Sequence, residues 1–361
     1  MKTKTILAFL LVLLLTFSSA SPASAALKTK TMDPAKTPIS VDRISKPDDD
    51  CYKRNQLCQE MEKYAEVVKN EGVSNTMNQN VIHMLKSVNE LIGDSFIITT
   101  KDGRVIVIDG GKYQETAYFI EYLKAVTGQQ KPHIDAWFLS HPHDDHCEVF
   151  LKTAEYADDI VTFDRVYANF PTNETFFRVD RLPDTYAFHV LNEYNRLLPR
   201  FTDKVSELHK GDDFSIGQAR FRVFFTFNPA WKDCNEASTI MRMDLGGKSV
   251  MFTGDANDLA GNQVIADYGD SGLLKCDYCK MAHHGANSMG DGFYRAVSPW
   301  CCLWPTTEWE WNGGDDNLKV DTPNIYNMMK NEIGVKHHYI SFYGSKAIYL
   351  NNWYDFLFSA G

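Results

Sequence analysis

The sequence predicts a layered α/β (α+β) fold. Two strand-like runs, residues 95–100 and 104–108, flank Lys101-Asp102-Gly103, a hairpin signal with Asp-Gly at its tip. A helical pattern follows over 116–126, and then an apolar run over 136–139. That run leads into Ser140-His141-Pro142-His143-Asp144-Asp145-His146. Strand, strand, helix, strand, with polar chemistry gathered where a strand ends, is the order of helices layered on sheets.

Composition suits this class. The chain has 361 residues, 44% of them apolar and 13% aromatic, enough for a sizeable core. A net charge of −10 argues against broad binding to nucleic acid, which needs a basic surface. It leaves open a phosphodiester substrate held by metal.

The N-terminus reads as an export signal. Lys2 and Lys4 precede an apolar stretch over 6–17, and Ala23-Ser24-Ala25 supplies a cleavage site. The expected mature chain is secreted, begins near Ala26 and holds no membrane span, because every later apolar run is too short. No cysteine sits at the cleavage point, so no lipid anchor is indicated. Residues 26–50 read as a flexible leader. Apolar residues at helical spacing over 51–70 predict a short amphipathic helix. The hydrolytic domain is expected over 80–361.

Eight cysteines in an exported chain permit disulfides. Cys276-x-x-Cys279 has no second such pair, which favours a disulfide or buried thiols over a zinc ribbon. Cys51 and Cys58 lie two helical turns apart, too far to bridge in one straight helix.

Residues 81–85 form the first expected strand. Asp109-Gly110-Gly111 closes the hairpin with a sharp turn. Residues 147–220 carry fewer signals: a helix over 188–198 and a loop over 171–183. His189 and His209 fall there without ligand company and read as structural or surface residues. A strand over 221–227 precedes a second hairpin, 239–245 and 249–252, which ends in Thr253-Gly254-Asp255. A helix is expected over 262–268. A short strand over 280–282 runs into His283-His284-Gly285-Ala286. The tail suggests one last hairpin turning at Gly344-Ser345, then a short terminal element.

The cluster at 141–146 combines imidazoles and carboxylates, the donors that borderline divalent metals prefer. No Gly-x-Ser-x-Gly elbow and no phosphate-binding loop is present.

His-x-His-x-Asp-His, then Thr-Gly-Asp, then His-His-Gly-Ala, in that order, resembles the metallo-β-lactamase superfamily. The likeness is strongest to the hydrolase domain of ComEC-type DNA-uptake channels and their free-standing relatives. Residues 93–111 look like that group's opening hairpin, and 238–243 like its strand before Thr-Gly-Asp. The resemblance covers residues 80–345 and implies an αββα sandwich with a metal site at one edge. It places His141 and His143 on one divalent ion and Asp145 and His146 on a second. Asp255 would bridge the two, and His283 or His284, with His284 favoured, would complete the second. Zinc is the expected metal, with manganese or iron as alternatives. Asp109 would orient the cluster from behind. Such a pair of ions can hold a hydroxide that attacks a carbonyl or phosphoryl centre. Asp145 or the spare histidine of the 283–284 pair would carry the proton.

The chain departs from the pattern in two places. Residues 228–238 lack the further histidine that many members have, and Asn228 or Asn235 stands in its place. Cys147-Glu148 replaces the glycines that usually follow the cluster. Cys147 reads as filler or a disulfide partner ahead of a ligand.

Trp304, Trp309 and Trp311, near Trp300 and several carboxylates, offer a cage for a quaternary ammonium or a stacking surface. A hydrophobic edge over the sheets ranks ahead of that reading. A secreted relative is a phosphorylcholine esterase of cell-surface polymers. The expected function is therefore an exported metal-dependent hydrolase of a small-molecule or cell-surface phosphodiester. A lactone or β-lactam hydrolase, a nuclease, and a binding protein with a decayed site are the alternatives.

Overall fold

The computed structural model describes residues 47–170, 178–179, 182–229, 233–286 and 289–350. The expected export signal, most of the leader, most of the 171–183 loop and the terminal element lie outside them.

Two seven-stranded sheets form the centre. In spatial order, the first holds Val205–Glu207, Val166–Ala168, Ala136–Phe138, Val105–Asp109, Ser95–Thr99, Val81–Met84 and Lys346–Tyr349. The second holds Asp213–Ile216, Ala219–Phe225, Ile240–Leu245, Lys248–Phe252, Tyr278–Lys280, Cys301–Trp304 and His337–Ile340.

Side-chain alternation divides the first sheet between two cores. Ile97, Val105, Val107 and Trp137 pack outward with residues of the helices Pro47–Asn70, Thr116–Thr127 and Asp144–Tyr156. Phe96, Ile98, Ile106, Ile108 and Phe138 pack inward on Phe221, Val223, Met243 and Phe252 of the second sheet. The outer face of the second sheet packs on the helices Asp258–Tyr268 and Asp291–Val297. The layers are therefore αββα. Strands covered on both faces read as unbroken apolar runs for this reason. Phe138 pins the sheets together, its ring 4.7 Å from Tyr167 and 4.7 Å from Phe221. Burying one such side chain stabilises by about 1.5–3 kcal/mol.

Strand direction sets the site. Val105–Asp109 runs parallel to Ala136–Phe138, so Asp109 and His141 leave the same end. Lys248–Phe252 runs parallel to Tyr278–Lys280, so Asp255 and His284 do likewise. Thr239 N donates to Ser140 O at 2.9 Å and ties the two ends together.

The structure corrects several expectations. The last two strands do not form a hairpin. His337–Ile340 joins Cys301–Trp304 in the second sheet, and Lys346–Tyr349 pairs with Val81–Met84 in the first. A local turn signal at Gly344-Ser345 cannot report that the chain changes sheets there. The short strand before the histidine pair is Tyr278–Lys280, with residues 282–285 in a tight turn. All eight cysteines are free thiols. Cys147 is buried filler whose thiol donates to His141 O at 3.1 Å.

Candidate metal centre

Asp109 ends its strand in the left-handed region, at φ 54. That turn aims its carboxylate across the sheet end. One oxygen accepts from Ser140 N at 2.7 Å, and the other lies 2.9 Å from His146 Nδ1. Its carbonyl accepts from Trp137 Nε1 at 2.8 Å. The Asp109 bond holds a proton on His146 Nδ1, so Nε2 is the nitrogen that would give up its proton to take a cation.

His146 Nε2 lies 3.1 Å from Asp255 Oδ1. His284 Nε2 lies 3.1 Å from Asp145 Oδ2 and 3.3 Å from Asp255 Oδ2. Its other ring nitrogen contacts Pro305 O at 2.9 Å, the same device that Asp109 applies to His146. His141 Nε2 stands 3.9 Å from Asp255 Oδ2. One ligand atom from each of Asp145, His146, Asp255 and His284 falls within 4.8 Å of the others.

Nε2 of His141, His146 and His284 is buried, and none makes an aligned hydrogen bond. Buried polar atoms are rarely left so. Three buried imidazole nitrogens turned on shared carboxylates form the donor set of a divalent cation. The residues fit the metal that the sequence motifs imply.

The protonation states follow from burial and neighbours. Burial alone would lower His146, but Asp255, Asp145 and Asp109 outweigh it and lift it to about 10. Burial and the neighbouring His146 hold His141 well below its usual range. Burial opposes ionisation of Asp255, yet His146, His284 and Lys280 hold it well below the usual carboxylate range. Protons on His146 and His284, not on His141, thus balance the buried carboxylates until a cation takes their place.

His283 and His284 sit at φ 49 and 57, a conformation that costs about 1–3 kcal/mol each for residues other than glycine. Gly285 follows at φ 92, and a Cβ there would lie 2.5 Å from the Trp304 ring. The strained turn aims His284 inward and leaves His283 at the mouth. His283 Nε2 is 3.9 Å from Asp255 Oδ2, and its side chain is 28% exposed. Of the residues expected to carry protons, Asp145 faces His284 and His283 keeps an accessible ring.

His143 turns to a second group. Its Nε2 lies 2.8 Å from Asp184 Oδ2, and Cys234 is close enough for the three to hold an ion. Burial pushes the Cys234 thiol up to about 11. The His141 ring stands 4.2 Å from His146 and 4.7 Å from His143, so it walls both groups.

Four participants escaped the sequence reading. Lys280 is buried, with Nζ 2.5 Å from Asp94 Oδ2, 3.3 Å from Asp255 Oδ1 and 2.6 Å from Gly254 O. A lysine ending a short apolar strand, and an acid between Gly93 and an apolar run, were the available signals. Asp184 and Cys234 had weaker ones. Of the two asparagines expected near the missing ligand, Asn235 does keep a buried, unpaired Oδ1.

The tryptophans do not form one open cage. Trp304 is fully buried beneath the His-His-Gly turn, its ring edge-on to Trp311 at 5.5 Å. Trp311 is half-buried against Tyr326. Trp309 is 40% exposed. Trp304 is large and apolar enough to support a ligand turn from below, which removes it from the surface. His189 lies outside the cluster, near Glu148.

Residues 88–261 match the metallo-β-lactamase superfamily and form a metallo-β-lactamase domain, with His283 and His284 beyond the matched stretch. ComE operon protein 3 of Bacillus subtilis (strain 168) is 28% identical over 96 residues, 26% of this chain and 12% of that protein. The match thus spans a small part of that relative. Among solved structures, CmlA, a diiron beta-hydroxylase from Streptomyces venezuelae, aligns at a TM-score of 0.47 and 12% identity, covering 75% of this chain and 54% of its own. The metallo-beta-lactamase fold protein YhfI from Bacillus subtilis aligns at 0.45 and 12% identity, covering 74% and 99%.

Proposed function

We propose that this chain is an exported, metal-dependent phosphodiesterase. The observation that carries the reading is the pair of ligand groups sharing the His141 wall, with ring separations of 4.2 and 4.7 Å. Two adjacent cation positions suit in-line displacement at phosphorus, where attacking and leaving oxygens both need stabilising. Asp145, His146, Asp255 and His284 would hold one ion, and His141 and His143 the other. Zinc is the metal proposed. Bound ions would supply a water acidic enough to attack near neutral pH.

The chain's own residues do the rest. Asp109 and the Pro305 carbonyl hold His146 and His284 in the ligating tautomer. Lys280 fixes Asp255 from below. Burial lowers the pKa of His283 and favours its neutral ring, which could take a proton from the attacking water and pass it to the leaving oxygen.

Trp309 and Asp315 support a choline-bearing substrate. The indole is exposed, its Nε1 lies 3.3 Å from an Asp315 oxygen, and its helix begins just beyond Pro305. An exposed indole beside a carboxylate attracts a quaternary ammonium. Export rests on Lys2, Lys4, the apolar stretch and Ala23-Ser24-Ala25.

The test is hydrolysis by the zinc-loaded protein of bis(p-nitrophenyl) phosphate, p-nitrophenyl phosphate, p-nitrophenylphosphorylcholine and a lactone. Chelator-sensitive turnover of the diesters supports the reading. Turnover of the lactone alone overturns it. N-terminal sequencing of protein from the culture medium should begin near Ala26.

A further inference from the structure

We propose that Cys234 and Asp184 complete the first metal position beside His143, giving it a thiolate and a carboxylate where many relatives use a third imidazole. The inference rests on the reading that the cluster binds divalent metal, and it goes beyond it in assigning the ligands.

Asp184 divides its two oxygens. Oδ1 caps the helix Thr185–Leu197, accepting from Tyr186 N and Ala187 N at 3.1 Å each. That bond fixes the carboxylate and leaves Oδ2 facing His143 Nε2 at 2.8 Å. Cys234 is fully buried and enters from another segment, immediately before the turn Asn235–Ala237. The same turn delivers Ser238, whose Oγ accepts from Asp255 N at 2.9 Å. The thiol is thus mounted on the framework that positions Asp255.

Cys234 also packs with Ala187, Leu191 and Ala237, which a core thiol would do. A plain core thiol has no need of an imidazole and a buried carboxylate within 4.8 Å. Two further buried atoms lack partners nearby in the fold: His141 Nε2, on the ring 4.7 Å from His143, and Asn235 Oδ1, next in sequence to Cys234.

The donor set selects the ion. Thiolate with imidazole and carboxylate favours zinc or cobalt over magnesium or manganese. As the sulfur–metal bond forms, the thiol S–H breaks and its proton passes to solvent.

The experiment loads the full chain with cobalt(II) and records its near-ultraviolet absorption and bound metal. A sulfur-to-cobalt charge-transfer band is expected in the unaltered protein and in Cys147→Ala. It is expected to vanish in Cys234→Ser, with loss of one bound ion. X-ray absorption of the unaltered zinc protein needs no variant and should show a sulfur at about 2.3 Å. Two bound ions with no sulfur neighbour, or a band that survives Cys234→Ser, would overturn this assignment and leave the metal reading standing. A protein that binds no divalent metal at all would overturn both.

Discussion

Lys280 Nζ lies 2.5 Å from Asp94 Oδ2, and both side chains are buried beneath the ligand cluster. Four buried carboxylates, Asp94, Asp109, Asp145 and Asp255, converge there. One fixed cation keeps two of them from repelling each other. Removing one member of a buried ion pair costs about 3–5 kcal/mol because the other charge is left uncompensated. Lys280→Met should lose that much stability in metal-free protein, and added zinc should return part of it. Urea denaturation with and without zinc measures both; a variant as stable as the parent would refute the role.

The three buried imidazole nitrogens without hydrogen-bond partners predict strong linkage between metal and fold. Zinc at 100 times its dissociation constant should stabilise the protein by about 2.7 kcal/mol per site. A chelator should lower Tm, and zinc should restore it. Calorimetry before and after dialysis decides the matter.

Asp109 acts through His146 rather than on substrate. Asp109→Asn keeps a residue that tolerates the left-handed turn, but it takes away the carboxylate that His146 Nδ1 meets. Zinc affinity should fall by about 10–100-fold, with the fold intact by circular dichroism. Asp255→Ala, which deletes a carboxylate shared by His146 and His284, should abolish diester hydrolysis. Unchanged zinc affinity in Asp109→Asn would remove the positioning role.

The tryptophans should separate by function. Trp304→Ala should cost about 3–5 kcal/mol, since the ring fills the core under Gly285. Trp309→Ala should stay within about 0.5 kcal/mol of the parent and raise KM for choline-bearing diesters above that for plain ones. An equal KM change for both substrate types would retire the choline proposal.

His83 supplies a pH dependence away from the metal. Burial pushes its pKa down to about 3, with Thr76 Oγ1 at 2.9 Å and Tyr122 OH at 3.2 Å from its ring nitrogens. The folded state therefore favours the neutral ring. Its contribution is full above the unfolded pKa near 6.5 and is lost as pH falls from there toward 3, at up to about 1.4 kcal/mol per pH unit. His83→Gln should flatten the decline in stability between pH 6 and 4. A slope identical to the parent's would show that the ring is not held neutral.

Much of the fold was legible because its signals are local. The Asp-Gly hairpin over 95–109, the apolar run into His141 and the glycines around Asp255 each declare themselves within a few residues. The closing strands did not, since Lys346–Tyr349 finds its partner at Val81–Met84, far back in the chain. The same limit hid parts of the site. Asp184 meets His143 across 41 positions, and Lys280 meets Asp255 across 25. No spacing rule links residues that only a folded sheet end brings together.

By itself, the sequence determined the histidine and carboxylate motifs and most of the strands that carry them, because donor type and hydrophobic period are properties of short stretches. The tertiary structure decided which of the paired histidines turns inward, that Trp304 supports rather than lines, and that Lys280 lies beneath Asp255. Those outcomes depend on where strand ends from two sheets converge, and convergence is set by packing over the whole core.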